Sequence, residues 1–149
     1  MPVFEPATAP DILALSALLA VLFTQEAEFT PNPRAHINGL ARIIKHPELG
    51  SILVIREGDA ILGMVNLLFT ISTALGERVA LLEDMVVSPP YRGVGMGSEL
   101  LAYAISFARS QGCKRITLLT DGANEAAQRF YAKNGFSQST MVPMRLSLT

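Results

Sequence analysis

The chain has 149 residues, a length that suits one domain spanning 1–149. Half of its residues are hydrophobic and 17% are charged, with a mean hydropathy of +0.35, which excludes a disordered chain. Twelve Lys+Arg against 13 Asp+Glu leave a net charge of -1, so there is no basic footprint for nucleic acid or an anionic membrane surface.

Val3–Ala7 suits a short edge strand, where Pro6 is tolerable. Pro10-Asp11 opens an apolar segment from Ile12 to about Phe29, with Leu15, Leu18, Leu19, Leu22 and Phe23 at helical spacing. Glu5 and Asp11 precede it and no Lys or Arg does, so the positive n-region of a signal peptide is missing. The run is too short to span a membrane, and Ser16 interrupts it. A cytoplasmic protein is expected. Pro31 and Pro33 stop this helix and permit another over Arg34–His46, where Ile37, Leu40, Ala41 and Ile44 repeat the pattern.

The texture changes after Gly50. Ser51–Ile55 and Ile61–Phe69 read as strands joined by a tight turn at Glu57-Gly58-Asp59. Val79–Val87 adds a third strand after the Gly76-Glu77 turn, and Pro89-Pro90 ends it. A helix over Gly95–Gln111 follows, with Gly112 at its C-terminal cap. Arg115–Thr120 is a short strand, and Asn124–Asn134 a helix with Asn124 as N-cap and Gly135 past its end. Met141–Leu148 is expected to supply one or two last strands. The order β-αα-βββ-α-β-α-β predicts an α/β or α+β layered domain.

Three places hold candidate chemistry. In Val87-Ser-Pro-Pro-Tyr-Arg-Gly-Val-Gly-Met-Gly97, a strand ends and three alternate glycines lead into a helix. Glycines let backbone N–H groups approach a ligand, the helix N-terminus adds unsatisfied donors, and Arg92 adds charge. Together these make a pyrophosphate cradle, although a plain glycine-rich turn has the same look. Gly93-x-Gly95-x-Gly97 is neither G-x-G-x-x-G nor a P-loop, since no Lys-Ser or Lys-Thr follows.

The second place is Glu83-Asp84 inside an apolar strand. Strict alternation points the two carboxylates opposite ways. With both sheet faces covered, at least one sits in a cleft, either as a general base or bonded to an Arg or to backbone. The third is Asn124-Glu-Ala-Ala-Gln-Arg-Phe-Tyr131, where Asn124, Ala127 and Tyr131 share a helix face. Cys113 is the only cysteine, and His36 and His46 are the only histidines. No intrachain disulfide and no His/Cys metal cage is expected.

Arg92-x-x-Gly95-x-Gly97, after a strand ending Val-x-Pro, resembles the acyl-CoA pyrophosphate loop of the GNAT superfamily of N-acetyltransferases. Asn124-x-x-Ala127-x-x-Phe130-Tyr131-x-x-x-Gly135-Phe136 resembles the second signature of that family, and no position of either is lost. The resemblance covers residues 51–136 firmly and the first two helices in layout. Leu82–Val87 is also similar to the fourth strand of glucosamine-6-phosphate N-acetyltransferases.

The resemblance implies a mixed, mostly antiparallel twisted sheet of six or seven strands flanked by four helices. It implies a bulged fourth strand that splays from its neighbour, with Met85, Val86 and Val87 pairing to the pantetheine arm of acetyl-CoA. The N–H groups of Arg92, Gly93, Val94, Gly95, Met96 and Gly97 would hold the pyrophosphate, and Asn124 would contact the cofactor. The implied reaction is direct acetyl transfer to a primary amine, with Glu83 as base, Asp84 as its alternative and Tyr131 protonating the leaving thiolate. Family members walling the acceptor with their first two helices imply Glu26, Glu28 and Phe29 as substrate contacts. Those acids suit a cationic amine, while Arg34, Arg42 and Lys45 suit an anionic substrate. A small-molecule amine is expected, with a peptide or protein amine, or a non-catalytic acyl-CoA-binding module, as alternatives. A homodimer is implied on family grounds.

Overall fold

A strand covered by helices on both faces must be apolar on both, and Ile52–Ile55 is such a run, all four residues being at most 2% exposed. The computed structural model describes residues 1–25 and 31–149. In chain order these form β1 (Val3–Pro6), α1 (Ile12–Gln25), α2 (Pro33–Lys45), β2 (Gly50–Glu57), β3 (Ala60–Ser72), β4 (Glu77–Val87), α3 (Met96–Ser110), β5 (Ile116–Leu118) and α4 (Glu125–Lys133). The sheet order is β1-β2-β3-β4-β5. All neighbours are antiparallel except β4 and β5, which are parallel. No helix among the described residues is long and apolar enough to cross a membrane.

Leu53 and Ile55 of β2 pack with Val65 and Leu67 of β3 against Leu100, Leu101 and Ala104 of α3. Ile52 and Val54, one residue out of phase, meet Leu15, Leu18 and Leu19 of α1 and Leu40 of α2. Local sequence sets the helix ends. Asn32 Oδ1 accepts the Ala35 N–H at 3.2 Å and Pro33 opens α2. Gly112, after α3, has φ +83, a value that an L side chain rarely adopts.

The first strand is tied down electrostatically. Arg56 of β2 donates from Nη1 and Nη2 to the buried Asp11 carboxylate at 3.0 and 2.8 Å, and from Nε to Glu5 at 2.6 Å. The Thr8 N–H adds a bond to Asp11 Oδ2 at 2.9 Å. Arg56 first, and Thr8 after it, hold the Asp11 pKa below the usual carboxylate value despite burial.

One expectation changes. Among the described residues the sheet has five strands rather than six or seven. Met141–Leu148 has the alternation of a strand but joins no ladder, and a strand exists only where a neighbour pairs its backbone. The first helix is described as far as Gln25, and its expected continuation to about Phe29 falls on residues 26–30, which lie outside the described residues.

Candidate active site

Strand β4 carries the geometry that matters most. Glu83 lies opposite Asn66 of β3, and Val86 lies opposite Met64. Asp84 and Met85 therefore face Val65 alone, which is a β-bulge. Asp84 takes φ +56, the one positive φ at a non-glycine residue among those described. Such a residue is held by its surroundings and clusters at functional sites.

The bulge corrects the alternation expected of the two acids. They do not point opposite ways. Directly paired residues of an antiparallel ladder share a face, so Glu83 lies on the α1–α2 side with Asn66. Asn66 also donates a long hydrogen bond of 3.5 Å from Nδ2 to Asp84 Oδ2. The extra residue turns Asp84 back toward the same side. Glu83 stays partly in solvent, yet burial first and the Asp84 charge second raise its pKa above the ordinary carboxylate value. Asn66 itself is 3% exposed, and its Oδ1 has no hydrogen-bond partner among the described residues.

On the side away from β3, β4 outruns its neighbour β5. It pairs with β5 only at Ala80, Leu81 and Leu82, and then runs five residues further to Val87. Among the described residues, the edge from Glu83 to Val87 thus has no strand paired on that side. Met85 packs toward the α3 side with Phe130, Tyr131 and Phe136. The Tyr131 ring stands edge-on to Phe130 and to Phe136 at 5.2 and 5.7 Å. Glu83 and Tyr131 therefore lie on opposite faces of β4, on either side of the open edge.

At the end of β4 the chain enters the glycine loop. Gly93 and Gly95 have φ +81 and +88, and open space lies where a Cβ would stand on each. Their need for glycine is conformational rather than steric. Gly95 is the N-cap of the 15-residue α3, whose first N–H groups aim into the loop. Arg92 folds back, donating from Nε to the Val87 carbonyl at 2.9 Å. A cleft of ≈ 360 Å³ opens here, lined by Val87, Gly93, Gly95, Gly97, Ser98 and Phe130, with Arg92 and Lys133 as its cations.

These features bring together most of the residues expected from sequence. Met85 lies in the bulge, Val86 and Val87 follow it, and Arg92 to Gly97 form the loop. Asn124 spends its Oδ1 on the Ala127 N–H at 3.0 Å, as an N-cap, which leaves Nδ2 to face any ligand. Glu26, Glu28 and Phe29 lie outside the described residues. Lys133 and Ser98 carry no signal in the sequence, since a lysine in the last turn of a helix is ordinarily solvated. Asn66 does carry one: it is a lone amide within the apolar run Leu62–Phe69.

A bulged strand with an unpaired outer edge thus runs into a glycine loop at a helix N-terminus, and comparison with known proteins identifies the family. The family model described as the acetyltransferase (GNAT) family matches residues 15–136. The chain is 32% identical over 141 residues to the aminoalkylphosphonate N-acetyltransferase of Salmonella typhimurium, covering 93% of this chain and 88% of that one. It is 32% identical over 130 residues to an uncharacterized N-acetyltransferase of Bacillus subtilis, covering 84% and 85%. Among solved structures, a transcriptional regulator from Bacillus halodurans superposes with a TM-score of 0.83 at 28% identity, covering 99% and 100%. The chain belongs to the GNAT family and is an N-acetyltransferase.

Proposed function

We propose that this enzyme moves an acetyl group from acetyl-CoA to the primary amine of a small molecule by direct attack. The observation that carries this reading is the bulge of β4 with its open edge, running straight into the glycine loop. The donors fit the cofactor. The edge of Met85, Val86 and Val87 that faces away from β3 lies past the last pairing with β5, and it suits the two amides of a pantetheine arm, as an added strand does. The N–H groups from Arg92 to Gly97, with Lys133 beside them, suit a pyrophosphate. Asn124 Nδ2 is left to meet the cofactor.

Acetyl-CoA supplies an activated acyl group as a thioester. The residues of the chain then manage protons. An ammonium must lose one before its nitrogen attacks, and Glu83, with its raised pKa, is poised to accept it directly or through water. Asp84 is the alternative acceptor. The Tyr131 hydroxyl, on the other face of β4, protonates the departing thiolate; a phenol near 10 and a thiol near 8.5 are close enough for that transfer.

The acceptor reading rests on the Salmonella relative, whose name is that of an enzyme for aminoalkylphosphonates. A small amine carrying an anionic phosphonate is therefore the first substrate to offer. Arg34, Arg42 and Lys45 on α2 supply cations on the chain that would suit one. Glu26, Glu28 and Phe29 remain the proposed contacts for the amine end. The working particle is taken to be a cytoplasmic homodimer.

The test has two arms. Saturating acetyl-CoA, at about 100 times its Kd, adds about 2.7 kcal/mol, which raises the Tm by roughly 5–10 °C. Release of free thiol is then followed with aminoalkylphosphonates, amino sugars and peptide N-termini. No shift at millimolar acetyl-CoA sinks the cofactor reading. A shift without thiol release from any amine favours a binding module, and release with peptides alone moves the substrate to proteins.

A further inference from the structure

Packing does not account for Asn66. In the cross-strand row it stands between Ile52 of β2 and Glu83 of β4, on the face that α1 and α2 cover. Ile52 and Met64 beside it are at most 2% exposed, and Asn66 itself is 3% exposed. A buried amide in such a setting ordinarily satisfies both of its ends. This one leaves Oδ1 without a hydrogen-bond partner among the described residues, which costs stability. A leucine of nearly the same shape would carry no such cost.

The other end of the amide faces Asp84. Nδ2 donates to Asp84 Oδ2 at 3.5 Å, and the charge of Asp84 fixes that orientation, because an amide oxygen turned toward a carboxylate is repelled. Asp84 is also the bulge residue held at φ +56, so a second cost meets the first at this one contact. Two such costs on one pair of side chains, with no return in packing, mark a functional arrangement. The bond is long, as hydrogen bonds at catalytic sites often are before substrate and cofactor tighten them.

We propose that Asn66 is a positioning residue for the acid pair: its amide holds the Asp84 carboxylate on the bulge beside Glu83, so that Glu83 meets a fixed neighbouring charge. This rests on the reading of Glu83 as proton acceptor and names the group that sets it. No proton passes through Asn66; the amine proton goes to Glu83. Among the described residues, few other ionisable groups belong to the elements around this face. Neither α1 nor β3 carries any. On α2, Arg34, Arg42 and Lys45 are exposed and only His36 is buried. On β2, Glu57 is exposed and Arg56 is bound to Glu5 and Asp11, while Glu77 and Arg78 lie at the far end of β4.

The test compares rate–pH profiles of Asn66→Leu, Asp84→Asn and the double variant, with acetyl-CoA and an aminoalkylphosphonate. Asn66→Leu should lower kcat roughly tenfold with the Kd for acetyl-CoA nearly unchanged. Its acid limb should move to higher pH by roughly half a unit to one unit, the ordinary worth of one hydrogen bond, because the ionised pair loses a donor. Its Tm should hold or rise, since the bare Oδ1 goes with the amide. In the Asp84→Asn background the same substitution should move nothing, whereas a shift caused by His36 would persist. A limb that stays put, or that moves equally in both backgrounds, overturns the proposal. A second measurement needs neither substrate nor Asn66→Leu. The Asn66 Nδ2 signal in NMR should titrate with the acid pair in the parent and lose most of that response in Asp84→Asn; a flat signal in the parent overturns the proposal. Full rate in Glu83→Gln removes the proton acceptor and this inference together. A rate lost there but kept in Asn66→Leu removes the inference alone.

Discussion

Glu83 and Asp84 illustrate how one backbone irregularity changes side-chain chemistry. The bulge puts two carboxylates beside Asn66, and the second raises the pKa of the first. A base works only when deprotonated, so the rate should fall as pH drops through the Glu83 pKa. Asp84→Asn removes a like charge, lowers that pKa and should move the acid limb of kcat to lower pH. An unmoved limb would take Glu83 or Asp84 out of the proton transfer. Because the folded protein raises this pKa, the ionised form at neutral pH opposes folding. Glu83→Gln is therefore expected to lower kcat while holding or raising Tm, and a fall in both would point to a structural role. Tyr131→Phe keeps the edge-on ring contacts with Phe130 and Phe136 and loses only the hydroxyl. Its kcat should fall on the order of 100-fold with the Kd for acetyl-CoA unchanged. A full-rate variant removes Tyr131 from the mechanism.

At the scale of elements, the glycine loop and the N-terminal anchor make separate predictions. A Cβ at Gly95 meets no atom within 4 Å, but its φ of +88 disfavours any L side chain. Gly95→Val should cost about 1–3 kcal/mol in stability and weaken the acetyl-CoA-induced Tm shift. Gly97 is in ordinary helical backbone, and an added Cβ would meet the Phe130 ring at 3.5 Å, normal contact distance. Gly97→Ala should therefore bind nearly as the parent does, and equal losses at both positions would contradict this conformational account. In the anchor, Arg56→Met strands the buried Asp11 carboxylate and should cost about 3–5 kcal/mol in chemical denaturation. The Asp11 pKa is depressed, so its stabilisation is present above the unfolded value and lost as pH falls through the lower folded one. The penalty of Arg56→Met should accordingly shrink below about pH 4. A penalty independent of pH would assign it to packing.

For the whole molecule, the sheet and α3 form the larger buried cluster, with Leu100, Leu101 and Ala104 at 0% exposed. Leu101→Ala should cost about 2–5 kcal/mol, enough to lower Tm by roughly 5–15 °C. A loss under about 1 kcal/mol would mean that the core relaxes into the gap. The loop and the outer edge of β4 hang from this same core through Met85 and Phe130, so the candidate site and the stability of the fold share one support.

The sequence by itself determined the order of elements, because their signals are local. Helical spacing marked α1 to α4, and Pro31, Pro33, Asn124, Gly112 and Gly135 marked helix ends. The loop from Arg92 to Gly97 was legible for the same reason, since positive φ selects glycine wherever it occurs. Only the tertiary structure decided which side Asp84 takes, because a bulge depends on the register between β3 and β4, not on β4 alone. It alone brought to the loop Lys133, which lies 36 residues beyond Gly97 in the chain. It also withheld the last strand: alternation makes Val142–Leu148 able to pair, but pairing needs a neighbouring edge, which lies elsewhere in space.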